Sequence, residues 1–491
     1  MENLNDDILL LVGDYLETHE DRYNAIFVNR RFNELFSPSL YRSARLTSRS
    51  QVQSFLKAIL LRPSLSGVVR SLDFADWQNE HKNDTLSADD IALFSQCAKT
   101  HSAVVEEHAQ WEQDLVAGVD EAWTVLLLPT VHNVTKLDLV YPNSLESKGY
   151  LDRLFERAMT TQQQKPASRR LVFHRLREVS LRQAIGEDDV KGTFSTAQVL
   201  PFLSMPKLQK LAVDSLVEYC PPADEQRDTD EDERAVDEPT RETPEVQDPR
   251  QQEPEILSPS LTEINLTTSN GYTGLSQLLS SCPSLTTFKY QHSDAHLLSS
   301  GFQPSAFFNT LSMQKSTLQT IHLDNLGEHF PFTIQGLNES YDQPFGSFAE
   351  FTALKDLRVR LPNLLHMQWQ LAFEPAVPLS EVLPSSIESL SIESCKENTL
   401  PILLRQIQSA LDAKEKGKKR FAALRNLEIE GVFHDDEEDE PVSGDGGGSN
   451  GEGGRVIRPR IYELVQPLRE TCEKAGVRFH LRDRACAMTM L

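Results

Sequence analysis

A six-residue phrase, apolar-x-x-apolar-x-apolar, recurs ten times along the chain. It reads VRSLDF from Val69, VTKLDL from Val134, LREVSL from Leu176, LQKLAV from Leu208 and LTEINL from Leu261. It continues as LTTFKY from Leu285, LQTIHL from Leu318, LKDLRV from Leu354, IESLSI from Ile387 and LRNLEI from Leu424. The last two apolar positions alternate with polar ones, which predicts a short strand buried on one side. Between phrases the spacing becomes helical, as at Leu151, Leu154, Phe155 and Ala158, at Leu275, Leu278, Leu279 and Cys282, at Leu400, Leu403, Leu404, Ile407 and Leu411, and at Ile461, Leu464, Val465, Leu468 and Cys472. Each set draws one apolar stripe on a helix. A strand-plus-helix unit of roughly 20 to 40 residues cannot bury its apolar side alone, so neighbouring units must stack.

From Val134 the phrases follow one another at 24 to 42 residues, with one outlier of 53. The outlier contains a proline-bearing run, Asp224 to Glu255, with 14 acidic and 4 basic residues; a second run, Asp435 to Gly454, has eight acidic residues and no basic one. Such compositions bury too little apolar surface to offset ordering entropy, so disordered insertions are expected at 222–256 and 434–455. They hold −10 and −8 of the chain's net −24, leaving −6 for the rest. The longer gap between VRSLDF and VTKLDL predicts a helical insertion at about 87–128.

At 491 residues the chain exceeds one compact domain, which fits a repeat architecture. Net acidity opposes attraction to phosphate backbones and anionic lipid, so no nucleic acid and no membrane are expected as partners. The six cysteines are scattered without a C-x-x-C pair, which suggests neither a disulfide framework nor a zinc site. The first helix lacks a basic leader, and the longest apolar runs are too short to span a bilayer. A cytoplasmic or nuclear protein is expected, and no cofactor.

The phrases resemble leucine-rich repeats over roughly 68–481. That resemblance implies an α/β fold, a solenoid with a parallel sheet on its concave face and helices outside, here over 47–491. The asparagine ladder of the tight family consensus is missing.

Ahead of the repeats, LNDDILLLVGDYL places Leu4, Ile8, Val12 and Tyr15 near one helical face with Leu9 and Leu16 beside it. Asn5 suits a side-chain cap, and Leu4 with Leu9 a hydrophobic staple. In the following segment Ala25, Val28, Phe32 and Leu35 form another stripe, limited by Pro38. These residues resemble the F-box, L-P-x-E-I-L-x-x-I-x-x-Y-L followed by V-C-R-x-W/F and L-W/Y, over 1–46. Asn5, Asp7, Asn29 and Phe32 stand where that motif has proline, glutamate, cysteine and tryptophan. The resemblance implies a face of Leu4, Asn5, Ile8, Leu9, Val12, Leu16, Val28, Phe32, Leu40 and Tyr41 that binds the small acidic adaptor of SCF-type (cullin-RING) ubiquitin ligases. It further implies a substrate receptor without catalysis of its own. The alternatives are a repeat scaffold outside any ligase, its helices a cap on the first repeat, or a hydrolase whose site carries no recognisable motif.

Literal matches to G-x-G-x-x-G and G-x-S-x-G around Gly446 to Gly451 lie in the second acidic run without strand or helix around them, so they predict no nucleotide site and no nucleophile. KEKGKKR, Lys414 to Arg420, reads as a solvated helix end before a nuclear-import signal. On the strands, the fifth position of each phrase faces away from the core. Lys289, His322 and Arg358 occupy it on successive phrases, with Arg360 on the same face, predicting a basic band for an acidic or phosphorylated target segment; ordinary solvated residues are the alternative.

Overall fold

The computed structural model describes residues 4–16, 18–74, 86–102, 105–142, 149–164, 172–185, 192–218, 258–271, 274–293, 303–325, 343–366, 375–415, 421–434 and 457–484. The expected acidic insertions, His434 apart, lie outside the described residues, as do the glycine matches and most of KEKGKKR. The chain divides into two units, 1–216 with 256–267, and 217–255 with 268–491.

The first unit opens with helices α1 (Asp6–Asp14), α2 (His19–Ile26) and α3 (Arg30–Tyr41). Two expectations change here. The predicted single stripe from Ala25 to Leu35 is interrupted, because Asn29 leaves helical geometry and its side chain caps α3 by accepting from the Phe32 backbone N–H at 2.8 Å. Pro38 sits inside α3 rather than limiting it. Only one turn follows Pro38, so the hydrogen bond it cannot donate is lost near the helix end, where breaking it costs least.

Strands β1 (Ser43–Arg45), β2 (Ser71–Asp73), β3 (Lys136–Tyr141), β4 (Glu178–Gln183), β5 (Lys210–Asp214) and β6 (Glu263–Ser269) pair in parallel in that order. Register aligns the phrases: Leu72, Leu137, Val179, Leu211 and Ile264 stand side by side and are buried, as are Leu139, Leu181, Val213 and Leu266. Each such side chain contributes on the order of 1.5–3 kcal/mol by leaving water. Parallel neighbours require a crossover. These carry α4 (Arg49–Leu61), α5 (Ala88–His101), α6 (Val105–Ala117), α7 (Asp120–Leu127), α8 (Tyr150–Gln164) and α9 (Thr196–Leu203). Three helices, α5 to α7, fill the long step between β2 and β3. They are built around buried Phe94, Trp111 and Trp123, with Phe94 edge-on to Trp123 at 4.9 Å and the Trp111 indole N–H donating to the Ala122 carbonyl at 3.1 Å.

The second unit repeats the plan with β7 (Thr287–His292), β8 (Thr320–Asn325), β9 (Asp356–Arg360), β10 (Ser389–Cys395), β11 (Asn426–Gly431) and β12 (Arg478–Asp483), again parallel and in chain order. Phe288, Ile321, Leu357, Leu390, Leu427 and Phe479 share one register row. The intervening helices are α10 (Ser276–Ser280), α11 (Pro304–Leu311), α12 (Leu361–Leu364), α13 (Leu379–Val382), α14 (Leu400–Glu415) and α15 (Pro459–Lys474). The stripe predicted from Leu275 yields only the five-residue α10, because Leu275 itself takes a left-handed conformation (φ 53°). No described helix is long and apolar enough to cross a membrane.

Candidate functional site

Two surfaces carry the residues singled out in the sequence. The first is the N-terminal helical group. α1 turns Leu9 and Gly13 inward, four residues apart on one helical face. Leu9 is 2% exposed, and a Cβ added at Gly13 would overlap the Phe36 ring. Ile8 and Val12, about 100° around α1 from Leu9 and Gly13, face solvent at 46% and 52% exposed, and so does Val28, between α2 and α3, at 63%. Leu4 and Asn5 are exposed as well. Leu16, Phe32, Leu40 and Tyr41 are half-buried. Phe32 meets Phe36 edge-on at 5.2 Å, and Tyr41 stacks on Phe55 of α4 at 5.5 Å. Leu9 is thus corrected from a docking residue to a core residue.

The expected Asn5 cap is also corrected. Its side chain makes no capping hydrogen bond, while its backbone carbonyl accepts from the Ile8 and Leu9 N–H groups. The start of α1 is held instead by Arg31 of α3, whose Nε donates to Asp6 Oδ1 at 2.8 Å and whose Nη2 donates to the Leu4 carbonyl. Asp6 and Asp7 in the first turn favour the positive end of the helix dipole. Leu11, Tyr15 and Phe27 are exposed apolar residues that the sequence left out of the docking set. A clean amphipathic stripe is what the eye seeks, and α1 is apolar on nearly all sides, with Ile8 to Val12 an unbroken apolar run. That width was the available signal.

The second surface is the polar face of the sheet in the second unit. Register places Lys289, His322 and Arg358 side by side, as their phrases predict. Their charge is another matter. His322 Nε2 lies 2.9 Å from Asp356 Oδ2. Burial works to raise the Asp356 carboxyl, yet the hydrogen bond and charge of His322 win and hold it below the usual range. Arg358 lies 3.2 Å from Glu393 and 3.8 Å from Glu428, and Arg482 lies 3.6 Å from Glu428 and 3.7 Å from Glu430. Arg360 is buried, its Nε donating to Ser394 Oγ at 3.3 Å. The expected basic band is therefore corrected to a charge-interleaved patch, in which Arg358 and Arg482 already face acidic side chains of β10 and β11. Burial first, then the charge and hydrogen bond of Asp324, push the Glu393 carboxyl up to about 9, so it holds a proton at neutral pH. Among the described residues no group of three or more His, Cys, Asp or Glu side chains is placed to hold a metal ion.

Residues 1–79 match the family model of the COS11 F-box domain. Residues 252–434 match that of the leucine-rich repeat domain. The chain carries an F-box followed by leucine-rich repeats. The F-box match takes in α1 to α4, β1 and β2, so Tyr41 and its ring partner Phe55 both belong to it. The leucine-rich repeat match takes in β6 to β11 and with them Arg358, Glu393, Glu428 and Glu430 of the charge-interleaved face, while Arg482 lies beyond it. No curated protein matches the chain.

Proposed function

We infer that this F-box/leucine-rich repeat protein is the substrate-recognition subunit of an SCF-type (cullin-RING) ubiquitin ligase. F-box domains generally bind Skp1-type adaptors and through them cullins. Ile8, Val12 and Val28, all exposed, carry the reading, because three short helices leave more apolar surface in water than a cap on a repeat needs. Leu4 and Asn5 extend that face, and Leu16, Phe32, Leu40 and Tyr41 support it from below. The repeats hold the protein to be modified, and Lys289, His322 and Arg358 lie on the face offered to it. Such a subunit acts by proximity: it raises the local concentration of target beside the ligase and needs no reactive side chain of its own.

Co-expression with a Skp1-type adaptor tests this. Wild type should co-purify with the adaptor, while Ile8→Asp and Val12→Asp should lose it with their circular dichroism unchanged. If both folded variants still hold the adaptor, these helices are a cap and the scaffold reading stands.

A further inference from the structure

Among the described residues eight buried side-chain nitrogen and oxygen atoms make no hydrogen bond. Five of them fall at separate places in the chain. The other three, Arg358 Nε, Ser391 Oγ and Glu428 Oε1, stand side by side, because register sets Ser391 of β10 directly between Arg358 of β9 and Glu428 of β11. A polar atom taken out of water without a partner opposes folding, and folds generally avoid it. Three in one register row is a concentration that the packing of the strands does not require.

Charge is balanced along this row. Arg358 Nη2 lies 3.8 Å from Glu428 Oε1, and Arg482 Nη1 lies 3.6 Å from the same oxygen, so each charge has its opposite at a separation beyond hydrogen-bond range. Arg358 Nε lies 3.2 Å from Glu393 Oε1 but off the line of its N–H, which leaves that donor unspent. Ser391 is 7% exposed, and its hydroxyl can both donate and accept. The side chains of Arg358 and Glu428 are 30% and 28% exposed, so the row is open to an approaching molecule. It thus offers a donor on one side, an acceptor on the other and a hydroxyl between them, with little net charge.

We propose that Arg358, Ser391 and Glu428 form a binding site for the side-chain carboxamide of an asparagine or glutamine in an extended segment of another protein. A carboxamide carries an oxygen that accepts, an NH2 that donates and no net charge. Its oxygen answers Arg358 Nε, its NH2 answers Glu428 Oε1, and either end answers Ser391 Oγ. A carboxylate guest would bring its charge against Glu428, and an ammonium guest against Arg358 and Arg482. A neutral dipole meets neither penalty. The row continues from Lys289 on β7 to His480 on β12, five strand spacings or roughly 24 Å, a length that an extended segment of about seven residues spans. That length favours a protein segment over a small free amide. Only the assignment of the segment to a ligase target rests on the receptor reading.

The test uses the full chain and the peptide acetyl-Gly-Gly-Gln-Gly-Gly-amide, with twins that carry Met, Glu or Lys at the central position, and saturation-transfer NMR titrations to read each affinity. The twins share every backbone amide, so a difference between them reports the side chain alone. The Gln peptide should bind at least about tenfold more tightly than the Met twin. Arg358→Met, which leaves Glu428 beside Arg482, should abolish that preference. Ser391→Ala should weaken the Gln peptide severalfold and leave the melting temperature unchanged or higher, because the hydroxyl has no partner within the folded chain. Equal binding of the Gln and Met peptides would assign these three atoms to water and overturn the proposal. A Gln preference that survives both substitutions would also overturn it, as would a lower melting temperature in Ser391→Ala, the mark of a structural hydroxyl. A Glu or Lys twin that matches the Gln peptide would show a face that reads charge, with the same consequence. Adaptor co-purification from the same preparations shows whether the receptor reading stands or falls apart from this site.

Discussion

Ile8 and Leu9 are adjacent in sequence, alike in size and opposite in role, which makes them a sharp test of how α1 is oriented. Leu9 is buried against the helix that carries Phe36, and Ile8 keeps 46% of its surface open. Truncating a buried leucine to alanine removes its transfer energy and leaves a cavity, about 2–5 kcal/mol. At the lower end that is roughly thirtyfold in the equilibrium for opening α1. The half of Ile8 still exposed is worth ~1 kcal/mol if a partner covers it, roughly fivefold in affinity, and its removal costs the free protein little. Hydrogen exchange of the α1 amides reads the first effect, and titration with the adaptor reads the second. Leu9→Ala should speed exchange along α1 at least about thirtyfold. Ile8→Ala should leave exchange within about twofold of wild type and weaken adaptor binding. Unchanged exchange in Leu9→Ala, or equal acceleration in both, would refute the inward and outward assignment.

Two further outcomes follow from the same geometry. Gly13→Ala places a methyl on the Phe36 ring and should destabilise the helical group by about 1–3 kcal/mol, seen as faster exchange in α1 and α3. Glu393 binds its proton more tightly folded than unfolded, so its contribution is fully present below its ordinary carboxylate value and is lost as pH rises toward about 9. Thermal melts should therefore fall between pH 5 and pH 9, and Glu393→Gln should flatten that fall; an unaltered slope would remove Glu393 as its source.

The strands were legible because alternation at period two survives whatever surrounds it, and because the same phrase recurs on ten of the twelve strands, β2 to β11. VTKLDL, LREVSL and LQKLAV sit in the register their spelling implies. The charge-interleaved face was not legible. Arg358 and its partners Glu393 and Glu428 are separated by 35 and 70 positions in the chain, so nothing local announces the pairing. The helical group was legible as apolar helices, but an all-round apolar run cannot say which side faces in; the ring of Phe36 decides that for Leu9 and Gly13.

Within the second unit each strand bonds only to the strands next to it in the chain, and this gives its energetics a short range. Stability there is a sum over adjacent partners, with little that reaches across the whole. Substitutions on β7 and β11, four strand spacings or roughly 19 Å apart, should therefore combine by simple addition, whereas substitutions on β10 and β11, which share Arg358 as a partner, should not. A defect in one repeat is consequently a local event, and the rest of the surface can keep its shape while that repeat is altered.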